Sequence, residues 1–98
     1  MIEAGTFVVV TTDAQRRGVF GGELVSHDKD AKTAVLKDVR MCVHWDVATR
    51  GVLGLASKGP QPGCKITGAV PTIDLDGVSA VMEATEDAKA AWETEPWS

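Results

Sequence analysis

Long apolar runs, paired cysteines and any stripe of positive charge are all missing from this chain, and each absence removes a class of function. The longest early apolar run is Phe7-Val8-Val9-Val10. That is too short for the hydrophobic region of an export signal or for a membrane span. Only two cysteines occur, Cys42 and Cys64, and they form no CxxC pair. Without an export signal, two such thiols are expected to stay reduced in the cytoplasm as small, partly buried apolar groups. No basic stripe exists that would neutralise many phosphates, so long nucleic acid is a poor partner.

Catalytic motifs are equally scarce. The only histidines are His27 and His44, no glycine-framed serine elbow occurs, and there is neither a Walker loop nor a G-x-G-x-x-G. Cys42 and His44 lie two apart, close enough for a thiolate–imidazolium pair, although such neighbours are usually one polar strand face. Cys42, His44, Cys64 and His27 are zinc-ligand types, but their spacing fits no common zinc site. Asp74 and Asp76 read as a solvated turn rather than an acid/base pair. The expectation is a protein that is not an enzyme and uses no metal or cofactor.

What is present suits one small domain over residues 1–98. Hydrophobic residues make up 44% of the 98, which argues against disorder. Charge is uneven. Residues 1–73 carry nine basic and seven acidic side chains, a net +2; residues 74–98 carry one basic and seven acidic, a net −6. The body can attract a small anion and the tail repels one.

Patterning points to a mainly β fold: a small antiparallel β-barrel or bent sheet of five to six strands over residues 5–82, with one short C-terminal α-helix over 86–93. Residues 6–12 are rich in β-branched side chains and read as a strand. Residues 18–28 read as a second, with Gly21-Gly22 marking a bulge or bend. Residues 33–45 form the longest candidate. Its odd positions, Val35, Lys37, Val39, Met41, Val43 and Trp45, are apolar but for the lysine, so alternation predicts that they face the core while Arg40 and His44 face outward. Residues 46–50 read as a turn and 51–57 (GVLGLAS) as a further short strand. Two prolines and two glycines make 58–63 a loop, and short strands are expected at 65–70 and 78–82. Thr85 is placed to cap the helix, Glu86 and Asp87 complement its dipole, and Pro96 ends it.

One internal echo stands out. Arg17-Gly18-Val19-Phe20-Gly21 and Arg50-Gly51-Val52-Leu53-Gly54 share R-G-V-x-G at a spacing of 33, which a duplicated hairpin would produce and chance turn chemistry would too.

Two resemblances follow from particular residues. Gly22-Glu23-Leu24-Val25-Ser26-His27-Asp28 followed by Leu36-Lys37-Asp38 resembles the first motif of Sm-like proteins, which implies a strongly bent barrel that assembles into rings. The asparagine of their base-binding turn is not evident in residues 32–34, so RNA binding is not implied. Met41-Cys42-Val43-His44-Trp45, Thr49-Arg50-Gly51-Val52, Gly54-Leu55-Ala56, Gly59-Pro60, and the ending Glu83-Ala84-Thr85 through Trp92-Glu93 to Pro96-Trp97 resemble a family of small uncharacterised phage and prophage proteins. That resemblance implies a phage origin, host-cytoplasmic location and no particular activity.

The richest cluster runs from His44 to Gly51. Trp45 offers a stacking plane, His44 an imidazole, Thr49 a hydroxyl and Arg50 a guanidinium fork suited to phosphate, with Arg17 and Arg40 as further cations. These six residues are the expected site of a small nucleotide-like ligand, bound by a homo-oligomer that sequesters it. The competing expectation is a protein-interaction module, an inhibitor of a host protein or a virion or assembly accessory, whose interface is the acidic segment from Asp74 to Trp97, around Trp92 and Trp97.

Overall fold

A computed structural model describes residues 2–13, 18–45, 51–61 and 63–94. Six strands and two helices follow one another along these residues: β1 (Phe7–Thr12), β2 (Gly18–Asp28), β3 (Thr33–His44), α1 (Gly51–Ser57), β4 (Lys65–Ile66), β5 (Val70–Leu75), β6 (Val78–Glu83) and α2 (Glu86–Thr94). All pairings are antiparallel, in the order β4-β3-β2-β1-β6, with β5 also on β3. Gly77, at φ 66°, lets the chain turn tightly from β5 to β6. Yet β5 pairs with β3 and β6 with β1, so that turn joins two sheet edges and the sheet must curve toward itself. No ladder links β5 to β6, so the curve stays open.

Val8, Val9 and Val10 on β1 are all 0% exposed, because both faces of this central strand are covered. The concave face packs Val8, Val10, Leu24, Leu36, Val39 and Leu75 into one cluster. The other face packs Val9, Val19, Cys42 and Ile66 against Leu55 and Ala56 of α1 and Trp92 of α2. Burying that many branched side chains at roughly 25 cal/mol per Å² is what holds so small a domain together.

The helices are tied to each other by Thr85. Its hydroxyl donates to the Ser57 carbonyl at 2.7 Å and accepts from the Ala88 N–H at 3.0 Å, while its own N–H donates to the Ala56 carbonyl. It therefore caps the start of α2, as expected, and also satisfies the end of α1. Gly59, at φ 85°, follows α1 so closely against α2 that a Cβ there would lie 2.6 Å from Ala91 Cβ.

Two expectations need correction, and one alternative that the sequence left open is closed. Residues 51–57 form a helix, not a strand. The R-G-V-x-G echo is not a duplicated hairpin, since Gly18–Gly21 lies in a strand and Gly51–Gly54 in a helix. The uniform alternation of β3 also fails. Asp38, in the left-handed region at φ 50°, is an extra residue between the pairs Gly21↔Arg40 and Glu23↔Lys37. Before it, Ala34 and Leu36 face the concave core; after it, Val39 does, and Cys42 is buried on the opposite face beneath the helices. The strand then runs beyond the core, leaving Met41 half-buried, Val43 48% exposed and Trp45 36% exposed. Gly22 sits opposite the bulge, where a Cβ would press on the Lys37 carbonyl and Val39 at 3.0 Å.

Candidate functional site

Trp45 borders a groove of about 340 Å³ between the end of β3, the start of β2 and α1. Thr11 and Thr12, Gly18, Met41, Val43 and Val52 line it with the indole. No charged side chain is among its described lining residues, so the groove suits an apolar or aromatic plane. Gly18 is preceded by Arg17, and Val52 is preceded by Thr49-Arg50-Gly51. Arg17, Thr49 and Arg50 themselves lie outside the described residues. The fold thus gathers at one groove the chain neighbours of both Arg-Gly steps and the exposed tryptophan. It does so by pairing β1 with β2 at Thr12↔Gly18 and by packing Val52 against the helix-covered core.

His44 is exposed beside Trp45, and its backbone carbonyl accepts the Cys42 thiol at 3.4 Å. Cys42 is 3% exposed, and its pKa is pushed up to about 12 by burial and then by the neighbouring Cys64, against a smaller lowering from a backbone hydrogen bond at His44. The thiol is therefore protonated at neutral pH and points into the apolar layer under the helices. A Cys42–His44 nucleophile pair does not form. Cys64 is half-buried at the same layer. Among the described residues, no three histidine, cysteine or carboxylate groups cluster as metal ligands do.

Arg40 is separated from Trp45. It lines a different depression, of about 440 Å³, with Lys89 and the carboxylates of Glu23, Asp38 and Glu93. Three acids against two bases make this a poor receptacle for an anion. Glu23 is further engaged with Lys37, directly across the β2–β3 ladder, at 3.1 Å.

The acidic segment expected as an alternative interface is changed most by Trp92. That side chain is 0% exposed, donates its indole N–H to the Leu55 carbonyl at 3.0 Å and meets the Phe7 ring at 6.4 Å. It is a core anchor, not a contact for a partner. Trp97 lies outside the described residues. Sequence reasoning missed Leu53, which is 74% exposed on α1 next to Val52, because residues 51–57 read as a strand. With Val43 and Trp45 it adds to the exposed apolar surface near the groove. No helix among the described residues is long and apolar enough to cross a membrane.

The model of a family described as a domain of unknown function, DUF6948, matches residues 5–92, and the chain belongs to that family. No curated protein and no solved structure matches the chain.

Proposed function

We propose that this DUF6948 chain is a non-enzymatic binding protein that takes a small, planar, anionic ligand of nucleotide type at the Trp45 groove and sequesters it as a homo-oligomer. One observation carries the reading: an exposed tryptophan shares a groove with Gly18, which follows Arg17 in the chain, and with Val52, which follows Thr49-Arg50-Gly51. A base stacks on the indole, and the two arginines, one residue and two residues along the chain from the groove lining, meet the phosphates. The volume of about 340 Å³ lies at the small end of the range of roughly 300–1,000 Å³ typical of ligand pockets. The deep burial of the Cys42 thiol favours binding over chemistry at this end of β3. A phage counter-defence role, in which a nucleotide signal of the host is removed from solution in its cytoplasm, follows from the resemblance of the 41–60 and 83–97 segments and belongs to the same proposal.

Calorimetry with a panel of cyclic and linear nucleotides tests it. Wild type should bind at least one member. Trp45→Ala should lose about 1–3 kcal/mol of stacking, and Arg50→Ala about 2–5 kcal/mol from an otherwise desolvated charge pair. Absence of binding by wild type across the panel refutes the reading, and unchanged affinity in both variants moves the site elsewhere.

A second reading has a specific observation of its own. Val43, Trp45 and Leu53 are 48%, 36% and 74% exposed, an apolar surface suited to docking a protein. In that case Leu53→Glu abolishes capture of the partner while nucleotides have no effect.

A further inference from the structure

Two of the outer strands of the curved sheet, β5 and β6, are protected very differently. β5 carries Pro71, which donates nothing to a ladder, and an exposed Asp74. Both are devices that discourage another strand from adding to an edge. β6 (VSAVME) has neither a proline nor a charge before its last residue. It pairs with β1 on one side, and no strand among the described residues pairs with the other.

Along that free side runs a shallow groove of about 650 Å³, floored by Val78, Ser79, Ala80 and Val81 and walled by His27 near the end of β2 and by Lys29 and Lys32 of the β2–β3 turn. The turn sorts its charges. Asp28 folds its carboxylate back to accept the N–H groups of Asp30 and Ala31 at 3.1 Å, and neither Asp28 nor Asp30 lines the groove, so its described charged lining is cationic. The Lys32 carbonyl accepts the Val78 N–H at 3.0 Å, which fixes the basic wall at the beginning of β6. The other end of β6 is acidic: Glu83 is its last residue, and exposed Glu86 and Asp87 follow in the first turn of α2. The edge is therefore a dipole, basic at its start and acidic at its finish.

We infer that β6 is a self-recognition edge, which pairs antiparallel with β6 of a second copy about a two-fold axis at Val81, whose backbone groups point away from β1. In that register Val81 lies opposite the partner's Val81 and Glu83 opposite the partner's Ser79. The basic wall of each copy meets the acidic end of the other twice. Parallel pairing would set like charges together and is disfavoured, so the charge pattern selects both the partner and its direction. Backbone hydrogen bonds supply affinity across the edge, and the charges supply register. The inference rests on the preceding section only for the existence of an assembly, and it names the surface that forms it.

The test is light scattering and concentration-dependent hydrogen exchange on the full chain. Wild type should run at twice its 10.4 kDa chain mass, and protection of the 78–83 amides should rise with concentration. Lys29→Glu and Glu83→Lys, each counted twice by symmetry, should each raise the dissociation constant about tenfold or more. The double variant should recover most of that loss. A monomeric wild type, a dimer indifferent to both reversals, no rescue in the double variant, or protection appearing outside residues 78–83 overturns the interface. Calorimetry with the same nucleotide panel on the single reversals separates the two proposals. A dimer that binds no nucleotide refutes only the ligand, and a nucleotide-binding monomer refutes this interface and the assembly while leaving the ligand site standing.

Discussion

A Cβ added at Gly21 would lie 2.7–2.8 Å from three atoms of the Trp92 ring system. The indole cannot move aside, because it is 0% exposed, tilted against Phe7 and held by its N–H on the Leu55 carbonyl. Gly21→Ala should therefore act as overpacking, which costs about 1–3 kcal/mol. Alanine is otherwise the better strand residue by roughly 0.5–1 kcal/mol, so the net loss is about 1–2 kcal/mol. Trp92→Ala alone should cost about 3–5 kcal/mol through the cavity it leaves. With the indole gone the methyl has room, and Gly21→Ala should then be neutral or stabilising by up to about 1 kcal/mol. The coupling energy is about 1–3 kcal/mol, well above what independent sites show. Urea titrations followed by far-ultraviolet circular dichroism measure all four corners without relying on the fluorescence of three tryptophans. Equal costs of Gly21→Ala in both backgrounds would refute the claim that this glycine exists to admit the ring.

Other outcomes follow from single contacts. Thr85→Ala removes a cap from α2 and a donor from the end of α1, and should cost about 1–2 kcal/mol, with Thr85→Ser recovering most of it by the same titration. Asp38→Gly should be neutral or stabilising, since it relieves a left-handed φ of 50°, whereas Asp38→Val should cost at least about 1–2 kcal/mol and shift the β3 register, read by hydrogen exchange. The Cys42 thiol titrates near 12 in the fold against 9.0 ordinarily, so the folded state holds its proton to higher pH than the unfolded chain. Stability from this group is complete below pH 9 and should fall by about 1.4 kcal/mol per pH unit between 9 and 12, a slope that Cys42→Ala abolishes.

Where local chemistry and tertiary context agree, the sequence was legible. β2 begins at Gly18 and ends at Asp28, as its turn residues imply, and the charged Asp28-to-Lys32 stretch turns through an Asx contact from Asp28. Thr85 with Glu86 and Asp87 announced α2, whose bounds differ from expectation by one residue. The failures share another cause. Strict alternation along residues 33–45 assumes a regular ladder, and Asp38 breaks it. Aspartate is among the few residues that tolerate a left-handed backbone, but nothing local distinguishes a bulging aspartate from one on a solvent face. Strict alternation consequently sends Trp45 to the core, while the indole that the core does hold, Trp92, reads from the sequence as an interface candidate.

The misreading of α1 has the most bearing on the site. GVLGLAS holds two glycines and a β-branched valine, a composition that disfavours a helix, and seven residues are too few for a helix to stand alone. The segment is helical because its surroundings finish it. Leu55 and Ala56 are buried against the outer sheet face. The Gly54 carbonyl accepts both the Lys58 and Gly59 N–H groups. Thr85 takes the Ala56 and Ser57 carbonyls. None of these partners is within the segment. As a helix it turns Leu53 to solvent and brings Val52 to the Trp45 groove, which a strand with the same start would not do. The site therefore depends on the packing of α1. Unfolding that helix by Leu55→Gly should weaken ligand binding at Trp45 without touching the groove, whereas Leu53→Ser, which changes only an exposed side chain, should leave nucleotide affinity as it was. Equal loss in both variants would mean that α1 contacts the ligand directly and does not merely set the wall of the groove.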